Sequence, residues 1–396
     1  MKKLLQIDSC LGILSTGKIS EGIGQVAMRR GWECYIAHGA RYVGKSQMNS
    51  IQVVSKLGEY FHYAQSLLLD RHGLGSTNET KKLIEKIEKV KPDVIQLHCI
   101  HGYYLNYEIL FKYLNSHNTP IVWTFHDCWA FTGHCTHFIT ANCVKWKNEG
   151  CCNCPLLREY PKSLIDRSDR NFKLKKALFT GNQNLHIVTV SNWLLSLVKE
   201  SFLKEKDIRV INNGIDISKF IPCVEKNKKH IVLGVASTWE KRKGLLDFYE
   251  LRKELPMELY DIVLIGLSKK QIQELPEGIK GLSRTFSTDD LVKYYSEAFV
   301  FVNPTYADSF PTVNIEALAC GTPVISYNTG GSPEIIDSKT GIVVRQGDVK
   351  ALAEAVKQMH NVPLSSADCR KRAEMYFNKN DRFTEYVELY EQLIYK

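Results

Sequence analysis

The sequence of 396 residues has no apolar run long enough to cross a bilayer as a helix, which takes roughly 20 consecutive residues. Nor is a secretory leader expected. The opening MKKLLQIDSCLGIL starts like one, but Asp8 interrupts the apolar run and no small-residue cleavage site follows. The stretch reads instead as a first strand, and the expectation is a cytoplasmic chain, soluble or peripheral at the inner face of a membrane. No D-x-D pair offers to hold a divalent cation on a diphosphate. No block of like charge is present either: the net charge of +9 is scattered. Scattered charge disfavours nucleic acid and suits diphosphates, pyrophosphate lipids or an acidic bilayer surface. No internal sequence repeat is visible; the two halves share only topology.

What is present fits two domains, each large enough to bury a core. Strands and helices alternate, the pattern of parallel sheets covered by helices. Residues 3–7 read as a strand, 8–18 as a loop, then an amphipathic helix to 30 and a second strand over 32–38. Gly22-x-Gly24-x-x-Ala27 matches a dinucleotide fingerprint. It lies well past the strand, and His38-Gly39 stand where an acidic residue is needed, so these glycines are read as helix-packing positions. Ser15-Thr16-Gly17, placed in the strand-to-helix turn, is the better phosphate-loop candidate.

Residues 81–91 form an outer helix with Leu83, Ile84, Ile87 and Val90 on its inner face. Buried strands over 93–98 and 121–125 have His98, His101 and His126 around their ends, where open α/β sheets bind ligands. A further strand spans 184–190, and Asn213-Gly214 is a tight-turn pair between the halves. The second half begins with a strand over 231–236, followed by the basic turn Lys241-Arg242-Lys243-Gly244, which suits phosphate. Strands over 261–266 and 299–303 follow. After 344 the chain is helical, and the last helix carries Phe383, Tyr386, Val387 and Tyr390 on one packable face.

The most informative stretch is 308–336, DSFPTVNIEALACGTPVISYNTGGSPEII. It reads as loop, helix, buried strand, Gly-Gly turn and second helix. Asp308 precedes the first helix, Ser309 and Thr312 bring hydroxyls to its start, and Glu316 lies one to two turns in. Free N–H groups at a helix start bind phosphate, and carboxylates beside them accept hydrogen bonds from sugar hydroxyls. An anion and a polyol in one pocket describe a nucleotide sugar.

This string resembles the signature of the retaining glycosyltransferases of family 4, which have the GT-B fold. That signature is an acid-x7-acid pair, then A-x-A/S-x-G-x-P-V and a G-G-x-P-E turn; here Asp308 stands where Glu is commoner. The resemblance implies an α/β chain of two Rossmann-like domains facing a cleft. It implies a metal-independent hexosyltransferase that moves a sugar from a nucleoside diphosphate sugar to a growing glycan, with retention. On it, Asp308 and His126 contact the transferred sugar and Glu316 the donor ribose. Lys243, with Arg242 and the helix start at Ser309, Phe310 and Thr312, faces the departing diphosphate, and Gly17 approaches it from the first domain. The family usually has an Arg five or six residues before the Lys; Ser237 and Thr238 stand there, so either Arg242 substitutes or diphosphate binding is weaker than typical. The picture is front-face attack without a protein nucleophile. The strings IHGYYLNYEIL, TFHDCWAFTGHC and GCCNCP are similar to those of a colanic-acid and capsular polysaccharide branch, which implies a glycan or lipid-linked acceptor in exopolysaccharide assembly. Expected domains are 1–210, with a cysteine-rich insertion at about 128–160, then 211–380, with 381–396 returning to the first.

Two further expectations come from the residues alone. Cys135, Cys143, Cys151 and Cys154, spaced C-x7-C-x7-C-x2-C, suit a structural zinc; Cys152 or His137 can replace one ligand. The motive is a long loop read as poor in apolar contacts, which metal would close. Lys173, Lys175, Lys176 and Phe179 are the candidates for contact with an anionic membrane. Rival readings are a nucleotide-sugar epimerase or phosphorylase on the same scaffold, and a zinc-containing basic module that holds nucleic acid.

Overall fold

The computed structural model describes residues 1–147, 150–223 and 230–395. Two compact units emerge, Met1–Asn212 with Asn380–Lys396, and Asn213–Lys379. The first holds seven strands: β1 Lys3–Leu11, β2 Glu33–Val43, β3 Asn49–Gln52, β4 Val94–Leu97, β5 Ile121–Phe125, β6 Leu185–Thr189 and β7 Asp207–Val210. All pair in parallel, in the order β3-β2-β1-β4-β5-β6-β7. The second unit holds six: β8 His230–Val235, β9 Tyr260–Ile265, β10 Ile279–Leu282, β11 Val300–Asn303, β12 Val324–Tyr327 and β13 Gly341–Val344. These are also parallel, ordered β10-β9-β8-β11-β12-β13. Both orders step outward from the first strand on one side and then on the other, the doubly wound α/β pattern that the sequence led one to expect. Each sheet therefore has a switch point, between β1 and β4 and between β8 and β11.

Burial follows from that topology. The central strands β4, β5, β11 and β12 are buried at every position. Helices cover both faces of such a sheet, so central strands become continuous apolar runs rather than alternating ones. The edge strands β3 and β7 contain no buried residue and carry the polar content.

The first strand is longer than the sequence reading. After a shift in register between Asp8 and Cys10, it keeps pairing with β2 as far as Leu11 against Val43. The connection to the helix Leu14–Arg29 shrinks accordingly, and its turn glycine is Gly12, at φ +62°. Gly17 therefore lies inside the first turns of the helix, where an added Cβ would stand 3.0 Å from the Cys10 Cβ and 3.2 Å from the Gly12 nitrogen.

The last helix, Lys379–Ile394, adds Phe383, Tyr386, Val387 and Tyr390 to the core of the first unit. Gly22 makes this possible, since a Cβ there would collide with the Phe383 ring. The dinucleotide-like glycines are thus packing glycines, as read. Gly22→Ala should gain about 1 kcal/mol of helix propensity and lose about 1–3 kcal/mol to overpacking. The expected net result in urea unfolding of the full chain is a loss, partly recovered by adding Phe383→Leu. An unchanged midpoint would contradict this packing role.

Candidate functional site

In the second unit, the loops beyond the carboxyl ends of β8, β11 and β12 are drawn into contact at backbone level. Gly244, at φ +75°, follows a single helical turn Lys241–Lys243, and its Cα sits so close to the Pro304 carbonyl that no Cβ fits. Gly330, at φ +56°, meets the Asp308 carbonyl in the same way. Hydrogen bonds lock these approaches. The Tyr306 N–H donates to the Arg242 carbonyl at 2.7 Å, the Gly331 N–H to the Asp308 carbonyl at 3.2 Å, and the Thr329 hydroxyl to the Tyr306 carbonyl at 3.0 Å.

These contacts bring together most of the residues singled out in the second half of the sequence. Lys243 Nζ donates to Asp308 Oδ2 at 2.6 Å, so a basic residue after β8 and an acidic residue after β11 form one ion pair. Asp308 Oδ1 accepts the Phe310 N–H at 3.2 Å, which fixes the carboxylate next to the helix Thr312–Ala319. Pro311 occupies the N-cap of that helix and supplies no side-chain cap, so the first N–H groups are not satisfied by a capping side chain. Glu316 sits in the second turn and accepts the Tyr295 hydroxyl at 3.0 Å. Tyr295 is a residue that sequence reasoning missed, because it lies on a different helix, Thr288–Glu297. Arg242 is committed to structure: its Nη1 donates to the Ala307 carbonyl at 2.9 Å and its Nε to Glu240 at 3.1 Å. Among the described residues, three buried polar atoms around the Thr312–Ala319 helix have no hydrogen-bond partner: Ser309 Oγ, Asn314 Nδ2 and Ser332 Oγ. Buried orphans are rare and mark strain or a polar ligand's place.

In the first unit, a hydrogen-bonded chain runs from within β1 to the residues that follow β4 and β5. Gln6 of β1 donates its amide to the Ser20 carbonyl at 2.7 Å, which turns its Oε1 toward His98 Nε2 at 3.0 Å. His98 Nδ1 lies 3.2 Å from His126 Nε2. Burial lowers the pKa of His98 far below the ordinary imidazole value and brings His126 down to about 4, so both are neutral near pH 7. A neutral His98 that donates from Nε2 must accept at Nδ1. His126 therefore carries its proton on Nε2 and presents an acceptor at Nδ1. Beside it, Asp127 accepts the Trp129 N–H at 2.8 Å and pairs with His101 Nε2 at 3.0 Å. Burial pushes the Asp127 carboxyl up, but the charge and hydrogen bond of His101 outweigh it and hold the group at about 2. Deeper in, Asp8 is fully buried, and burial raises it to about 6. Of these, Gln6 and Asp127 had no readable sequence signal, and Asp8 was read only as the residue that interrupts the first apolar run.

Among the described residues the cysteine-rich loop has no strand, and its helical pieces are two single 3-10 turns, Trp129–Phe131 and Ile139–Ala141. Cys135, Cys143, Cys151, Cys152 and Cys154 line one pocket with His134. Among the described residues, no three His, Cys, Asp or Glu side chains are arranged to hold a metal ion. The loop is also not poor in apolar contacts. Trp129, Phe131, Phe138 and Trp146 are buried, with Phe131, Phe138 and Trp146 in mutual ring contact. A buried pair, His134 Nδ1 to Asp70 at 2.6 Å, ties the loop to the end of the helix Lys56–Leu69. Lys175 is buried too, donates to the Trp129 and Thr132 carbonyls, and lies 3.4 Å from the Trp129 ring centroid. With Phe179 fully buried, two of the four residues expected at a membrane are inside the protein. The helix period of that stretch was legible; the loop folded over its inner face was not.

Two family models match: one described as Glycosyltransferase Family 4 over residues 27–219, the other as Glycosyl transferases group 1 over residues 229–361. An Escherichia coli protein with an inferred assignment as colanic acid biosynthesis glycosyl transferase WcaC is 25% identical, over 98% of this chain and all of its own length. The Staphylococcus aureus capsular polysaccharide biosynthesis glycosyltransferase CapM is 27% identical over 44% of this chain and 52% of its own. Among solved structures, sucrose-phosphate synthase from Thermosynechococcus elongatus superposes with a TM-score of 0.74 at 17% identity, covering 99% of each chain. Anabaena HepE in complex with UDP gives a TM-score of 0.65 at 13% identity, covering 99% of this chain and 100% of that one.

The histidine chain has a direct spectroscopic check. The His98 and His126 ring signals should stay those of neutral imidazoles between pH 7.5 and 5.5, with His126 protonated at Nε2, since its titration lies near pH 4. A midpoint near the unperturbed 6.5 for either ring would contradict the assignment.

Proposed function

Since this chain belongs to glycosyltransferase family 4, we propose that it is a retaining, metal-independent enzyme that transfers a sugar from a nucleoside diphosphate sugar to a lipid-linked polysaccharide precursor. The observation that carries the reading is the convergence of Lys243, Asp308, the helix start at Thr312 and Glu316 at one strand-end site. Lys243 and the N–H groups at that helix start stabilise charge on the departing diphosphate. Glu316, fixed by Tyr295, accepts from the donor ribose. Asp308 accepts from the transferred sugar, and when the diphosphate arrives it competes with Asp308 for Lys243. Ser309 and Phe310 shape the start of the helix, and Arg242 holds the two loops at the spacing the phosphates need. His126 Nδ1, as an acceptor, suits a sugar hydroxyl. Gly17 lies in the first turns of its helix, beside the Cys10 and Gly12 backbone. No side chain is placed as a nucleophile in this proposal; the donor phosphate takes the acceptor proton on the same face.

The polysaccharide role rests on the colanic-acid and capsular names of the relatives. Transfer is favoured over epimerisation or phosphorolysis by the family match, and nothing in the charge distribution favours nucleic acid.

Purified protein incubated with a panel of nucleotide sugars should hydrolyse one donor slowly, and transfer it when a suitable acceptor is added. Glu316→Ala should weaken donor binding, and Lys243→Ala should lower the rate, each by about ten- to a hundredfold, as for loss of one charge-assisted contact. Activity should survive chelation, and the product should keep the donor's anomeric configuration. Wild-type turnover in both variants would remove the site assignment; an inverted product would remove the mechanism.

A further inference from the structure

The helix Lys56–Leu69 is packed the wrong way round for a solvated helix. Its buried side chains are Glu59, His62 and Ser66. Its outward face shows Leu57 at 64% exposure, Tyr60 at 61%, Phe61 at 63% and Leu68 at 52%. This orientation is enforced from within. Glu59 accepts the Ala40 and Arg41 N–H groups, and His62 Nε2 accepts those of Gly73 and Gly75 at 3.2 and 3.1 Å, while its Nδ1 lies 2.9 Å from the Ser76 hydroxyl. Burial lowers His62 to about 4, so it stays a neutral acceptor. Turning the helix to bury its leucines would orphan four backbone donors. The apolar face is therefore held outward by hydrogen bonds.

The same surface is extended and its rim is mainly cationic; the Asp166 carboxylate beside Ile165 is held by the Cys154 and Ser168 N–H groups, and Arg41 pairs with Glu59 at 4.0 Å. The Leu164 N–H donates to the Leu67 carbonyl at 2.7 Å, which sets Leu164 and Ile165, both exposed, beside the helix. Lys56 opens the helix, Lys162 precedes the 164–165 pair, and the Arg41 guanidinium lies 5.8 Å from the Tyr60 ring centroid. The helix has one acidic residue, Glu59, and it is buried. A second copy of this chain on that face would set these cations against their own kind. An anionic lipid surface complements them, and aromatic and leucine side chains suit its interfacial layer. We propose that this outward face of Lys56–Leu69, with Leu164 and Ile165, seats the protein on an anionic bilayer. The proposal replaces the 173–179 surface expected from sequence. It rests on the lipid-linked acceptor proposed above for its purpose, but its test needs neither donor nor acceptor.

Full-length protein should co-sediment with vesicles of phosphatidylcholine and phosphatidylglycerol, poorly with phosphatidylcholine alone, and less at high salt. Phe61→Gln with Leu68→Gln should weaken partitioning about tenfold or more. Lys56→Glu with Lys162→Glu, which touches no apolar side chain, should do the same, while Lys173→Glu with Lys176→Glu should leave it unchanged. Failure of the wild type to sediment with anionic vesicles would overturn the proposal. So would full binding by both helix variants, or a dimer in sedimentation velocity that Phe61→Gln with Leu68→Gln dissociates. Donor hydrolysis in solution, measured alongside, would still stand or fall with the glycosyltransferase reading alone.

Discussion

Parallel strands end together, and everything at the candidate site depends on how closely the loops beyond those ends can approach. In the second unit that approach is made by backbone, at Gly244 against Pro304 and at Gly330 against Asp308. Both glycines sit at positive φ, a conformation that costs a side-chain-bearing residue free energy even in open space. Once the backbones are this close, Lys243 reaches Asp308 and the helix carrying Glu316 is set beside them. The ion pair is a consequence of the approach. An exposed pair would be worth little, but this one is about four-fifths buried and positions two groups for a charged ligand.

The first unit uses the same topology with different chemistry. Its strand ends present neutral imidazoles and an ionised Asp127 where the second unit presents a lysine and a helix start. Hydrogen bonds from Gln6 through His98 set which nitrogen of His126 is bare, so a residue two strands away decides what the largely buried His126 ring accepts.

Much of this was legible because local signals agreed with the global fold. β5 was read at its observed bounds, since every residue of IVWTF is β-branched or aromatic and the run ends at a polar His-Asp pair. The acid pair, the Lys-Gly turn and the Gly-Gly turn were legible because each needs particular residue types. Gly17 was misplaced because strand pairing across a bulge depends on the neighbouring strand, which local periodicity does not report. The cysteine loop hid its aromatic core for a similar reason: Trp129, Phe131, Phe138 and Trp146 have no period, and only the folded chain brings three of them into ring contact. The helix Lys56–Leu69 ran against the usual rule, as its polar residues bond to backbone donors that no sequence pattern announces.

The account stands most directly on the claim that the β8, β11 and β12 loops form one preassembled diphosphate site. Titration calorimetry of the full chain with uridine, guanosine and adenosine diphosphates measures this without knowledge of sugar or acceptor. One nucleoside diphosphate should bind without added metal, and Gly330→Val, which forces the Asp308 backbone away, should abolish that binding while the chain stays folded. Binding of none of them by the wild type, or unchanged binding by Gly330→Val, would contradict it.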